Sequence, residues 1–188
     1  MKIRTQLIAS AVVLALILLA CSFTLWIGDQ RLQRISAQEE LARSLQQDAN
    51  ELGFITNSYL LFRDNSQLTL WQSKTGSITS ELTALKSSNQ QQQNLIDDMK
   101  ANQLRLAAVF TEIKTGMENS PTTTENLDYV GTAYSRLAVQ TLGIVSNANQ
   151  LLSLLQNEYD QIRQRNILVI FGLLGFYETS LGNYRNFG

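Results

Sequence analysis

The sequence predicts an all-α fold: a membrane-anchored antiparallel four-helix bundle whose long first and last helices are continuous with membrane segments. Three observations point to it. The 188 residues include one proline and ten glycines and are rich in Leu, Gln, Ala, Ser, Glu and Arg, a composition that favours helix and lacks the β-branched alternation of strands. Apolar residues recur at spacings of three and four from Leu32 onward, the signature of amphipathic helices. Ahead of them lies Leu7–Ile27, a largely apolar run without a single charge. At about 1.5 Å of helical rise per residue it matches the roughly 30 Å hydrocarbon core of a bilayer.

Residues 7–27 read as an uncleaved transmembrane helix. Lys2 and Arg4 precede the run and Asp29, Arg31 and Arg34 follow it, so the positive-inside tendency puts residues 1–6 in the cytoplasm and the bulk of the chain outside. A cleaved signal peptide has an apolar centre of about 7–15 residues that ends in small side chains. This run instead ends in Phe23, Leu25, Trp26 and Ile27, with Trp26 at interfacial depth. Leu18-Leu19-Ala20-Cys21 resembles a bacterial lipoprotein processing site, in which Cys21 would become the lipidated N-terminus. The apolar residues continuing past Cys21 favour the uncleaved anchor, with Cys21 a small apolar member of the span. As the lone cysteine, it forms no intramolecular disulfide.

About 140 residues separate this anchor from a second apolar run, enough for one domain of ordinary size. Its 28–166 span is expected to fold as four helices. The first carries Leu32, Ile35, Leu41, Leu45, Ala49, Leu52, Ile55 and Tyr59 and continues the membrane helix; Gly53 weakens it by about 1 kcal/mol relative to alanine. Arg63-Asp64-Asn65-Ser66 gathers turn and N-cap residues and predicts a hairpin. The second helix follows with Leu68, Trp71, Thr75, Ile78, Leu82 and Leu85, Gly76 being its weak point. Ser87-Ser88-Asn89 predicts a second turn, with Ser88 and Gln91 spaced as a capping box and Gln90–Gln93 as a solvated first turn. A third helix aligns Ile96, Met99, Gln103, Leu106, Phe110, Ile113 and Met117; this stripe reads as bundle core rather than as a cofactor box. The pattern fails between Gly116 and Thr124, where Pro121 and three threonines predict a loop, and Thr122 with Glu125 suggests a last helix from about Thr123. That helix is the most regular: Leu127, Val130, Tyr134, Leu137, Thr141, Ile144, Ala148, Leu151, Leu155, Glu158 and Ile162 imply coiled-coil-like packing. Thr141 and Glu158, its polar members, read as positions near water, or as devices that set register between subunits.

The last helix runs into Ile167–Tyr177, apolar but only about half of a bilayer core in length. Residues 167–177 read as the start of a second, truncated span. Residues 178–188 form an atypical polar tail without helical pattern, and Glu178 would be costly at membrane depth. A truncated or frameshifted end is the expectation.

Chemistry of its own is not expected of this chain. It contains no histidine, so a phosphoacceptor histidine, a Ser-His-Asp triad and histidine-based metal sites are absent, as are the Gly-rich nucleotide loops of a kinase. Glu39-Glu40 and Asp97-Asp98 are sequence neighbours about 100° apart on a helix and read as solvated faces. No catalytic, cofactor-binding or metal residue is predicted. Fifteen basic and sixteen acidic residues, scattered to a net charge of −1, leave no footprint for nucleic acid. Arg63 and Asp64 at the hairpin, and Tyr134 and Arg136 on the last helix, are conceivable ligand contacts, against the plain alternative that exposed charges at turns serve solubility.

Ser58-Tyr59-Leu60-Leu61-Phe62-Arg63-Asp64-Asn65-Ser66 followed by Gln67-Leu68-Thr69-Leu70-Trp71 resembles the hairpin of the class-three CHASE type of extracytoplasmic four-helix sensor, and the spacing from Leu85 through Phe110 is similar. Together with the order of anchor, helices and second apolar run, residues 28–166 resemble the N-terminal sensory region of transmembrane sensor histidine kinases and chemoreceptors. The resemblance implies a sensor module of a two-component or chemotaxis-type receptor in the inner membrane. Its domain would be periplasmic or otherwise extracytoplasmic, and it would pair as a homodimer and pass a small-molecule or protein stimulus across the membrane by helix displacement. The HAMP linker and the kinase or signalling domain of such receptors do not follow Tyr177 here. The alternatives are a single-span or lipid-anchored helical adaptor or structural protein with no signalling output, and a nonfunctional receptor remnant.

Overall fold

The computed structural model describes residues 2–119 and 125–185. Four helices make up these residues, with no strand among them: α1 (Lys2–Phe62), α2 (Asn65–Ala84), α3 (Gln90–Asn119) and α4 (Glu125–Arg185). The chain divides into two units, one of residues 37–155 and one in which residues 1–36 meet residues 156–188. The loop expected at Ser120–Thr124, with the Thr122 cap, lies outside the described residues.

Within residues 37–155 the three- and four-spaced apolar positions form one core. Leu45, Ala49 and Leu52 of α1, Ile78 and Leu82 of α2, Met99, Leu106 and Ile113 of α3, and Leu137, Ile144 and Leu151 of α4 are almost wholly buried. Tyr59 and Trp71 close on Phe110, whose ring stacks on the indole at 3.7 Å and 9° and meets the phenol ring at 5.3 Å. The α3 stripe read as bundle core thus packs against the protein's own rings. Gln103 sits in the seam with its amide donating to Thr79 Oγ1 at 3.0 Å, which satisfies a polar group that would otherwise be costly to bury.

The connections follow local chemistry. Arg63 takes a left-handed φ of 52° just after α1 and donates its N–H to the Tyr59 carbonyl at 2.8 Å, as a helix C-cap does. Asp64 then caps α2, accepting from the Ser66 N–H at 2.9 Å.

Several expectations are corrected. The cap of α3 is Asn89 rather than Ser88: Asn89 Oδ1 accepts from the Gln92 N–H at 2.9 Å. The reciprocal partner is Gln92 rather than Gln91, its Oε1 accepting from both the N–H and the hydroxyl of Ser88 at 2.8 and 2.9 Å. Hence Gln90–Gln93 is not a solvated turn throughout, since Gln92 is buried at 1 % exposure. Asn89→Ala is expected to cost about 1 kcal/mol of stability, the usual magnitude for removing an N-cap side chain, readable in chemical denaturation. On α4, Tyr134 is 42 % exposed and Ala133, four residues before the buried Leu137, takes the core position, since a helical seam can step by four as well as by three. Met117 is buried as its place in the α3 seam predicts, but the helix runs on to Asn119, past the Gly116 where the pattern fails. The polar tail is helical as far as Arg185: losing the apolar pattern removes a packing signal, while nothing in Glu178–Arg185 is a proline that would stop the backbone.

In the other unit, Gly28 and Asn166 lie together, and a Cβ on Gly28 would overlap the Asn166 amide. Gly28 is buried. Ile35 and Ile162 are buried as well, whereas Leu16, Leu19, Phe23 and Trp26 are largely exposed. Among the described residues one helix, α1, is long and apolar enough to cross a membrane, by length and composition.

Candidate functional site

The four residues singled out from the sequence fall in two places, Arg63 and Asp64 at the α1–α2 turn and Tyr134 and Arg136 on α4, three of them already engaged. The Asp64 carboxylate accepts from the Ser66 hydroxyl and from its N–H, and these bonds, the hydroxyl's first, hold its pKa below the usual carboxylate value. With Arg63 in the left-handed region, the pair builds the turn. Arg136 pairs with Glu112 of α3 through two N–H···O contacts of 3.2 and 3.3 Å. Both side chains are about half exposed, and such pairs contribute about 0–1 kcal/mol.

Tyr134 is different, because it helps line a cleft of about 290 Å³ between α1 and α4. Asn50, Gly53 and Thr56 form one wall and Leu137, Thr141 and Leu142 contribute to the other; none of the lining residues is charged. Two of its hydroxyls are turned to structural use. Thr56 donates to the Leu52 carbonyl at 2.6 Å and accepts from Trp71 Nε1 at 3.0 Å, and Thr141 donates to the Leu137 carbonyl at 3.0 Å. The cleft is thus an uncharged socket in which Leu137, Ala138, Leu142 and Val145 stand beside the polar Asn50, Thr56, Tyr134 and Thr141.

Gly53 opens this socket. A Cβ at Gly53 would meet Thr141 Cγ2 at 3.5 Å, an ordinary contact, so packing does not demand glycine here. The contrast is Gly143, where a Cβ would come to 2.6 Å from the Asn102 amide and the missing side chain makes room for a neighbour. At Gly53 the missing side chain leaves space instead.

A polar cluster between α1 and α2 went unread in the sequence. Lys74 Nζ lies 2.9 Å from Asp48 Oδ1 and 2.7 Å from Glu51 Oε2, and Ser44 donates its hydroxyl to Glu81 Oε1 at 2.5 Å. Hydrogen bonds to Glu51 and then Asp48 raise the Lys74 pKa, and the bond from Lys74 chiefly lowers that of Glu51. Glu81 moves the other way: burial raises its pKa and the Asp48 charge adds to this, while the Ser44 bond opposes it. Its Oε2 is buried without a hydrogen-bond partner. The signal in the sequence was the stripe Ser44, Asp48, Glu51 at spacings of four and three, facing Lys74 and Glu81 seven apart across a hairpin whose turn fixes the register.

Among the described residues no group of three His, Cys, Asp or Glu side chains is placed to hold a metal ion. Comparison with known protein families, with characterised proteins and with solved structures finds no match to this chain.

Proposed function

We propose that this protein is the extracytoplasmic sensor module of a membrane-bound signal-transduction receptor, of histidine kinase type in the first place and chemoreceptor type in the second. In this reading it is anchored in the inner membrane by α1 with its N-terminus in the cytoplasm. The observation that carries the reading is the meeting of Gly28 and Asn166. Gly28 directly follows the first apolar run and Asn166 directly precedes the second, so the first and last helices leave their apolar segments side by side, as two adjacent spans require. Between the spans the four helices form an antiparallel bundle. Supporting this are contacts whose residue numbers rise on one helix as they fall on the next: Thr56 with Trp71 and Asp48 with Lys74, then Phe110 with Trp71 and Gln103 with Thr79.

The module performs no chemistry of its own and uses no cofactor. A small-molecule or protein stimulus that favours one packing of the bundle displaces α4 against α1, and a helix that is continuous into an apolar segment carries that displacement into the bilayer. Two copies act together.

Topology tests this directly. In a Cys21→Ser background, Asp97→Cys is expected to react with a membrane-impermeant maleimide on intact spheroplasts, and Lys2→Cys only after lysis. Asp97 is exposed on α3, so protection of Asp97→Cys until lysis would reject the reading. The intact mass of the unmodified protein is expected to include residues 1–20; a chain beginning at a lipidated Cys21 would favour the anchored adaptor instead.

A further inference from the structure

The α1/α4 cleft has the make-up of a small-molecule site. Ligand pockets join an apolar lining to a few placed polar groups, and this one sets Leu137, Leu142 and Val145 beside Asn50, Tyr134 and Thr141. Its polar groups are of two kinds. Thr56 and Thr141 give their hydroxyl protons to the backbone of their own helices. The Asn50 carboxamide and the Tyr134 hydroxyl line the cleft and bond no other described residue, and each can both donate and accept. Charge is kept out. No lining residue is charged, and the two charges next to lining residues in sequence are held elsewhere, Glu51 by Lys74 of α2 and Arg136 by Glu112 of α3. An ion entering the cleft therefore meets no opposite charge to offset its lost hydration, a cost that an uncharged molecule does not carry.

We infer that this cleft binds a small uncharged molecule that joins an apolar ring to an amide or alcohol, and that this molecule is the stimulus the module reads. The site stands on the cleft alone; its role as the stimulus site rests on the sensor reading. The size fits such a molecule. A cavity of about 150 Å³ accepts benzene, and the cleft, at about 290 Å³, leaves room for a polar substituent as well, near the lower end of the roughly 300–1,000 Å³ usual for ligand pockets. The ring takes the space that Gly53 leaves against Leu137 and Leu142, and the substituent bonds Asn50 or Tyr134. A glycine that packing does not demand is then explained as the floor of the site. The placement gives binding a consequence. One wall belongs to α1 and the other to α4, the two helices continuous with the apolar segments. A molecule held by both walls binds best at one spacing of these helices and shifts the bundle toward it.

The test is saturation-transfer nuclear magnetic resonance on the whole protein in micelles of deuterated detergent. The probe is benzamide, with benzoate and benzylammonium as charged counterparts of the same shape. Benzamide is expected to bind the wild type saturably in the millimolar range, and each charged counterpart about tenfold more weakly or not at all. Gly53→Leu, which fills the cleft, is expected to weaken benzamide binding about tenfold with helix content unchanged. Asn50→Ala, at an exposed position of α1, is expected to weaken it several-fold. Partition into the micelle is common to all these proteins and cancels between them. No saturable binding, binding that survives Gly53→Leu, or equal binding of the charged counterparts would overturn the site. The sensor reading fails separately, in the topology labelling. Benzamide binding to a chain whose Asp97→Cys stays protected until lysis would keep the site and overturn its role as the stimulus site, whereas an accessible Asp97→Cys with an empty cleft would keep the sensor and overturn the site.

Discussion

Trp71→Ala is expected to destabilise residues 37–155 by about 3–5 kcal/mol, the usual cost of truncating a buried large aromatic. The indole is 6 % exposed, stacks on Phe110 at 3.7 Å and donates its N–H to Thr56 Oγ1 at 3.0 Å. Three effects therefore fall together: apolar area returns to water, a cavity opens against Phe110, and Thr56 loses its donor. Trp71→Phe separates them, since it keeps a ring beside Phe110 and removes only the donor and part of the volume, and it is expected to cost less than half as much. Thermal and denaturant unfolding followed by far-ultraviolet circular dichroism measures both. A double-mutant cycle with Phe110→Ala should return a coupling of about 0.5–1.5 kcal/mol for the ring pair. A loss under about 1 kcal/mol for Trp71→Ala would mean that the aromatic group does not lock α2 to its neighbours.

The aromatic anchor was legible in advance, because a tryptophan on a three- and four-spaced apolar stripe has one sensible place to go. So were the four helices, the Arg63–Ser66 turn and the core of α3, all of which depend on local spacing. What escaped shares a cause, since each feature is decided by which residues meet across helices. Lys74 is a solvated charge when read along α2, and becomes a partner of Asp48 and Glu51 only once the hairpin register is set. Gln92 belongs to a polar run by composition, yet it is buried because its carbonyl satisfies Ser88 from the first turn of α3. Gly53 reads as a local weakness within α1, and only the opposite wall, from Leu137 to Leu142, turns it into a socket. The displaced seam position at Tyr134 comes from a step of four rather than three ahead of Leu137, a choice that spacing alone leaves open.

The Lys74 cluster gives the second large effect, and one with a defined pH dependence. Asp48 is 8 % exposed and faces Lys74 at 2.9 Å, so Lys74→Met, which keeps the apolar stem and removes the charge, leaves a largely buried carboxylate without its cation. A loss of about 1–3 kcal/mol at pH 7 is expected for an ionic group left unpaired in this way. The signs separate the members of the cluster. The raised pKa of Lys74 contributes stability that is complete below its unfolded value of 10.5 and is lost as pH rises through the higher folded one. The lowered pKa of Glu51 contributes stability that is present above 4.5 and disappears as pH falls through the folded value. Glu81 opposes both: with its folded pKa raised, its charged form weakens the fold above that pKa, and the penalty is relieved as pH falls toward 4.5. Removing Lys74 deletes an attraction that holds the Glu81 pKa down, so this penalty grows in the variant. The stability gap between wild type and Lys74→Met should therefore narrow from pH 7 to pH 5, as Glu81, whose raised pKa is freed from the lowering effect of Lys74, is the first to take up a proton, and Glu81→Gln in the Lys74→Met background should recover part of the loss at pH 7. Denaturant midpoints of the three proteins at the two pH values decide the matter. A gap that is the same at both, or no loss on removing Lys74, would mean that solvent already screens these charges and that α1 and α2 are held by their apolar seam alone.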